Sequence, residues 1–240
     1  YDPFTRQGSG SVDSTTTDTD GNYSAMIKAG TYTIEASGDS GLAFQDSITV
    51  VSGDTVRPDP DTLQPAGSIR GVVRLEQGED PTTVFILFMG TRTFTYPDDT
   101  TGTFTSDNMA AGDYRVRILT TTPNYKTLDT TLSVIAGTQN VLPGPIVLQY
   151  TGIPTPTGLA ISYDNLKQIV TLIWNKPSTG SQVSYYNIYR RNVGLNTVLT
   201  RINTSPVMDT SYRDSTGVQD STYEYRVAAV NASATEGTKS

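Results

Sequence analysis

The expected fold class is all-β, on three grounds. Threonine is the commonest residue, and Val, Ile, Tyr and Phe recur beside it; these residues suit a pleated, half-buried surface. The 21 Gly and 13 Pro are spread along the whole chain, so turn signals recur at short intervals. No stretch carries apolar residues at i, i+3, i+4 and i+7 for long enough to make an amphipathic helix. With 240 residues, the chain has room for several small sandwiches.

An internal repeat organises the first part of the chain. Asp20-Gly21-Asn22-Tyr23 matches Thr101-Gly102-Thr103-Phe104, and Ala29-Gly30-Thr31-Tyr32 matches Ala111-Gly112-Asp113-Tyr114. Ile48-Thr49-Val50 then matches Leu132-Ser133-Val134, and Ser52-Gly53 matches Ala136-Gly137. Val56-Arg57-Pro58-Asp59-Pro60 with Leu63-Gln64 matches Val141-Leu142-Pro143-Gly144-Pro145 with Leu148-Gln149. The offset drifts only from 81 to 85, so two copies of one fold differ by small loop insertions. Strands are expected at 23–27, 31–36 and 47–51 in the first copy. The second should have strands at 70–76, at 84–89 and through Tyr114, Val116 and Ile118. Proline-x-proline segments suit an edge strand, since proline cannot donate to a central ladder.

Thr17-Asp18-Thr19-Asp20-Gly21-Asn22-Tyr23-Ser24, followed by Ala29-Gly30-Thr31-Tyr32-Thr33-Ile34, resembles a carboxypeptidase regulatory-like module. The second copy is similar but has Asp98-Asp99-Thr100-Thr101-Gly102 in place of the Asp-x-Asp-Gly run. The resemblance implies two transthyretin-like β-sandwiches, over 1–65 and 66–151, with no catalytic residues of their own. The spacing before Gly21 is shorter than that before Gly102, so the first module is expected to lack its first strand.

From about 152 the pattern changes. Val170-x-Leu172-x-Trp174-x-x-Pro177, Tyr186-x-Ile188-Tyr189-Arg190 and Tyr223-x-Tyr225-x-Val227-x-Ala229-x-Asn231 resemble a fibronectin type III domain over 152–240. Its last strand is expected to be short or truncated. Alternation places Leu172 and Trp174 on one sheet and Tyr225 and Val227 on the facing one. Leu172, Trp174, Tyr186, Ile188, Tyr223, Tyr225 and Val227 are the expected structural core. The resemblance makes Tyr223 a corner tyrosine whose hydroxyl bonds back to the backbone. Thr151-Gly152-Ile153-Pro154-Thr155-Pro156 reads as a short, semi-rigid linker.

Composition removes several chemistries. The chain has no Cys and no His, which excludes disulfides, histidine-assisted nucleophiles and His- or Cys-ligated metals. Lys and Arg total 17 against 24 Asp and Glu, a net charge of −7 with no basic stripe, so nucleic acid is not an expected partner. No apolar run is long enough for a membrane-spanning helix, and no signal segment opens the sequence.

Candidate sites are few. Asp18-x-Asp20-Gly21-Asn22 has the oxygen-rich look of a calcium loop but lacks a later bidentate carboxylate, and Asp and Asn favour tight turns anyway. Calcium is thus the one cofactor candidate, at Asp18, Asp20 and Asn22, and the turn is the preferred reading. Asp59-Pro60-Asp61 and Asp98-Asp99 pair carboxylates without a cleft signal. Tyr1, Phe4, Phe44, Tyr96, Tyr125, Tyr163 and Tyr185 could stack on sugars, though loop packing and cross-strand pairing explain such residues equally. Asn22, Asn203 and Asn231 head glycosylation triplets of the kind a Ser- and Thr-rich sequence produces by chance.

The expected function is a non-catalytic extracellular stalk, spacer or adhesive array, in the manner of bacterial cell-surface or secreted proteins. Its partners would be other domains or subunits of the same assembly, or polysaccharide. The alternatives are an accessory region of a secreted hydrolase and a strand-complemented fibre subunit.

Overall fold

The computed structural model describes residues 13–177, 179 and 182–240. The described residues are all-β apart from a 3-10 turn at Pro81–Thr83, and they group into two compact units, 1–148 and 149–240.

In the first unit, β1 (Gly30–Gly38) and β2 (Gly41–Val50) form an antiparallel hairpin. Then follow β3 (Gly67–Leu75), β4 (Val84–Phe88), β5 (Phe94–Thr95), β6 (Thr103–Met109), β7 (Gly112–Thr120), β8 (Leu128–Val134), β9 (Gln139–Val141) and β10 (Ile146–Leu148). One sheet has the order β5-β4-β7-β8. The other is built on β3, with β6 on one edge and the short parallel strands β9 and β10 in succession on the other. Alternation on β3 buries Ile69, Val73 and Leu75 against Val84, Ile86, Phe88, Val116 and Ile118 of the facing sheet.

The repeat is visible in atomic detail. Gly30 pairs with Val50 and Tyr32 with Ile48 in β1–β2, as Gly112 pairs with Val134 and Tyr114 with Leu132 in β7–β8. The Tyr32 hydroxyl donates to the Lys28 carbonyl at 2.8 Å; the Tyr114 hydroxyl donates to the Ala110 carbonyl at 3.0 Å. The Asp18 carboxylate accepts the Asp20 N–H, and Asp99 accepts the Thr101 N–H in the same way.

The first copy nevertheless differs from the expectation of a sandwich over 1–65. Among the described residues before Gly67, only Ala43 and Phe44 are buried. Phe44 belongs to the core of the second copy, stacked on Tyr114 with ring centroids 4.0 Å apart. Residues 23–28, the counterpart of β6, form no strand, and Met26 is fully exposed. The physical reason is pairing. In the second copy β6, β9 and β10 all hydrogen-bond to β3, and no strand among the described residues plays that part for 23–28 or 54–62. Without it the flanking segments have no ladder, and only the hairpin remains.

One glycine pair tests this difference. Gly102 has φ +78°, and a Cβ there would lie 2.0 Å from the Val73 carbonyl oxygen on β3. Gly21 has φ +81° but nothing within 4 Å. Gly21→Ala is expected to cost about 1 kcal/mol, the left-handed strain alone. Gly102→Ala adds a backbone clash and should cost about 2–4 kcal/mol. Urea unfolding of the two variants measures the contrast; equal costs would contradict the open surroundings of Gly21.

In the second unit, β11 (Thr157–Asp164), β12 (Ile169–Asn175) and β15 (Ser211–Asp214) form one sheet in that order. β14 (Thr200–Arg201), β13 (Tyr185–Asn192), β16 (Tyr223–Val230) and β17 (Glu236–Lys239) form the other. Leu172, Trp174, Tyr186, Ile188, Tyr225, Val227 and Ala229 fill the space between them. Trp174 meets Tyr186 edge-on at 5.1 Å. A three-stranded sheet facing a four-stranded one around a central tryptophan is the immunoglobulin-like sandwich arrangement.

Candidate functional site

Trp174 Nε1, the Tyr186 hydroxyl and Asn187 Oδ1 are buried without a hydrogen-bond partner, while several of the other polar side chains that reach the interior join strands. The clearest case lies in the second unit. Asp214, at the end of β15, is 2% exposed. Its carboxylate accepts the Tyr225 hydroxyl at 2.8 Å, the Thr216 hydroxyl at 2.7 Å, the Thr216 N–H at 2.8 Å and an Arg190 guanidinium N–H. Arg190 and Tyr225 lie on β13 and β16, so the cluster ties the two sheets together. Burial pushes the Asp214 carboxyl up, but the Thr216, Tyr225 and Arg190 hydrogen bonds outweigh it and hold the carboxyl below its ordinary value. Burial and the Asp214 charge push the Tyr225 phenol well up. Arg190 also lies over the Tyr223 ring, 4.5 Å from its centroid, and Tyr223 accepts the Val218 N–H at 2.9 Å. Tyr223 is therefore half-buried beside the core and fastens the turn at Val218 through its hydroxyl.

In the first unit, Asp46 on β2 takes both Nε and Nη2 of Arg115 on β7, at 2.7 and 3.1 Å, and the Thr33 hydroxyl at 2.9 Å. This fork fastens the hairpin to the second copy beside the Phe44–Tyr114 stack. Between them lies a cleft of about 230 Å³ reached by Glu35, Ser37, Thr93 and Asn108. Partial burial pushes the Glu35 carboxyl up against a smaller opposing pull from Arg92. A lone carboxyl without a second catalytic group gives no acid–base pair.

The sequence candidates fall out as follows. Asp18 accepts the N–H groups of Asp20 and Asn22 at 2.9 and 2.8 Å and the Asn22 amide at 3.1 Å. The Asn22 backbone and then its side chain lower the Asp18 pKa. Asp18 and Asn22 are thus engaged in holding the turn. Asp99 serves its own turn, through Thr101. Among the described residues no three His, Cys, Asp or Glu side chains gather in a way that would hold a metal ion. Of the aromatic candidates, Phe44 is buried and Tyr125 is bonded to Glu79 and Gln77. Tyr185 is half-buried, Tyr96 and Tyr163 are exposed, and Tyr1 and Phe4 lie outside the described residues. Asn203 is 5% exposed: its amide oxygen accepts the Ile188 N–H and its nitrogen donates to the Ser205 carbonyl. The Asn203 side chain is thus a buried structural device, engaged where a glycan would have to attach.

The sequence reading missed the Asp214–Arg190–Tyr225 cluster and the Asp46–Arg115 fork. Each joins residues that adjacent-sequence patterns cannot pair. It also missed two outward arginines on β3, although the Ser68-Ile69-Arg70-Gly71-Val72-Val73-Arg74-Leu75 alternation carries that signal.

The chain matches no protein-family model and no curated protein. Among solved structures it is similar to a fibronectin type III-like protein from Clostridium thermocellum, 24% identical over 37% of this chain and 86% of that one, with a TM-score of 0.32. It is similar to titin module A71 from human cardiac muscle, 27% identical over 38% of this chain and 86% of that one, TM-score 0.32. A two-domain fibronectin type III segment of chicken tenascin is 12% identical over 89% of this chain and 92% of that one, TM-score 0.30. Among the described residues no helix is long and apolar enough to cross a membrane.

Proposed function

We propose that this chain is a non-catalytic extracellular spacer or adhesive segment, built from two copies of a carboxypeptidase regulatory-like module, the first (1–65) incomplete and reduced to a hairpin packed on the second (66–151), and a fibronectin type III domain (152–240). One observation carries the reading: the chain's buried charged cluster and its inter-copy ion pair are consumed in binding strand to strand. Chemistry of that kind builds bodies that resist separation and leaves hydroxyl-rich faces toward water. The absence of cysteine makes such bodies indifferent to redox conditions, which suits an exported chain. The reading needs no cofactor.

Stretching single molecules between their ends tests it. Separate unfolding events are expected, with the 92 residues of 149–240 releasing roughly 300 Å at about 3.3–3.6 Å per residue. Featureless extension would remove the mechanical reading. Concentration-dependent growth in sedimentation would favour the fibre-subunit reading instead.

A further inference from the structure

Three central rows of the outer face of the β3 sheet carry charge of the opposite sign to the chain's net charge, with Asp107 standing further along β6. Ser68, Arg70, Val72 and Arg74 alternate outward along β3. Directly opposed residues share a face, so one row runs Val141–Arg70–Thr105, the next Val72–Thr103, and the third Val147–Arg74. No acid stands in these rows, although the chain carries a net charge of −7. Seven other cations form the ion pairs among the described residues; Arg70 and Arg74 form none. Between them a groove of about 210 Å³ is floored by Val72 and Thr103 and walled by the Val141–Pro145 loop. On the opposite, inner face, Gly71 leaves room for Phe104 and Leu142 to pack beneath the strand; a Cβ there would lie within 2.8 Å of both.

We propose that this groove binds an acidic polysaccharide whose uronate carboxylates pair with Arg70 and Arg74 while a ring face lies on Val72 and Val141. Charge complementarity selects an anion. The guanidinium fork matches a carboxylate. The two arginines stand four residues apart on one strand, about 13 Å at 3.2–3.4 Å per residue, a span for an oligosaccharide more than for one sugar. Strand addition beside the arginines is disfavoured because both edges of β3 are already paired, by β6 on one side and by β9 and β10 on the other. Recognition must come from side chains, and a stiff sugar chain loses less freedom there than an acidic peptide. The proposal goes beyond the spacer reading and stands or falls without it.

The test is titration of the full chain with a hexameric oligogalacturonate, a neutral cello-oligosaccharide of equal length and a polyglutamate peptide of equal charge. Calorimetry gives affinity, and amide shifts locate the site. The uronate is expected to bind, more weakly as salt rises, with shifts confined to 70–74, 103–105 and 141–147. Arg70→Ala/Arg74→Ala should weaken it by about tenfold or more per arginine, each tenfold being about 1.4 kcal/mol. Arg70→Lys/Arg74→Lys, which keeps the charge and loses the fork, should fall between. Arg57→Ala/Arg213→Ala removes equal charge elsewhere and should leave binding unchanged. No uronate binding, equal binding of the neutral sugar or the peptide, or indifference to the Arg70/Arg74 variants would each overturn the proposal. Unchanged thermal unfolding of the exposed-site variants shows that the fold is intact.

Discussion

Asp214→Ala is expected to lower the stability of the 149–240 unit by about 3–5 kcal/mol, the scale for removing one partner of a buried ion pair. The substitution leaves the Arg190 guanidinium, 17% exposed at its side chain, without its counter-charge. It also strips the Tyr225 hydroxyl and both Thr216 donors of their acceptor. Urea unfolding followed by the fluorescence of Trp174, the only tryptophan, reads this unit alone. A loss below about 1 kcal/mol would place the cluster with ordinary surface pairs. The same carboxyl sets a pH dependence. Its folded pKa lies below the unfolded value of about 3.9. Its contribution is therefore complete above that unfolded value and is lost as pH falls through the folded one. Wild-type stability should decline in that acid window, and Asp214→Asn should flatten the decline while being less stable at neutral pH.

Phe44→Ala is expected to destabilise the second copy, although residue 44 belongs to the first. Phe44 is 8% exposed and its ring lies against Tyr114 and over Gly112. Truncation removes an aromatic from a shared core and should cost about 3 kcal/mol or more. The variant should shift the urea transition of the 67–148 strands, read by their protected amides, and leave the Trp174 transition in place. If the hairpin were an independent body, the 67–148 amides would not respond.

How far the sequence could be read follows from the distance over which its signals act. Alternation is local, so Leu172, Trp174, Tyr186, Ile188, Tyr223, Tyr225 and Val227 could be named from the sequence; all but Tyr223 are buried between the two sheets, and Tyr223 packs half-buried against them. The repeat is also local in form, and it matched Tyr32 with Tyr114, which stand at equivalent places in two hairpins. The bond from each tyrosine hydroxyl to a carbonyl four residues earlier was within reach, since both follow the same Ala-Gly-x-Tyr run. Which strand pairs with which was not within reach. The fate of 23–28 depends on a β3-like partner, and no property of those residues reveals whether one is present. Likewise Arg190 and Asp214 are 24 residues apart and meet only because two sheets close. At Asn203 a chance triplet begins on a buried side chain, because a three-residue motif carries no information about burial.

The placement of β3 has a consequence for how this polypeptide is made. β3 is the first strand of the second copy to leave the ribosome, yet its partners lie at 103–109, 139–141 and 146–148. Half of its backbone ladder must wait until some seventy further residues have been added, since sequence separation delays pairing. Throughout that interval Ile69, Val73 and Leu75 sit on an uncovered strand, open to association with neighbouring nascent chains. A holding chaperone or rapid export before collapse would relieve the hazard, and yield on overexpression should depend more on translation speed than on the final stability of the folded unit.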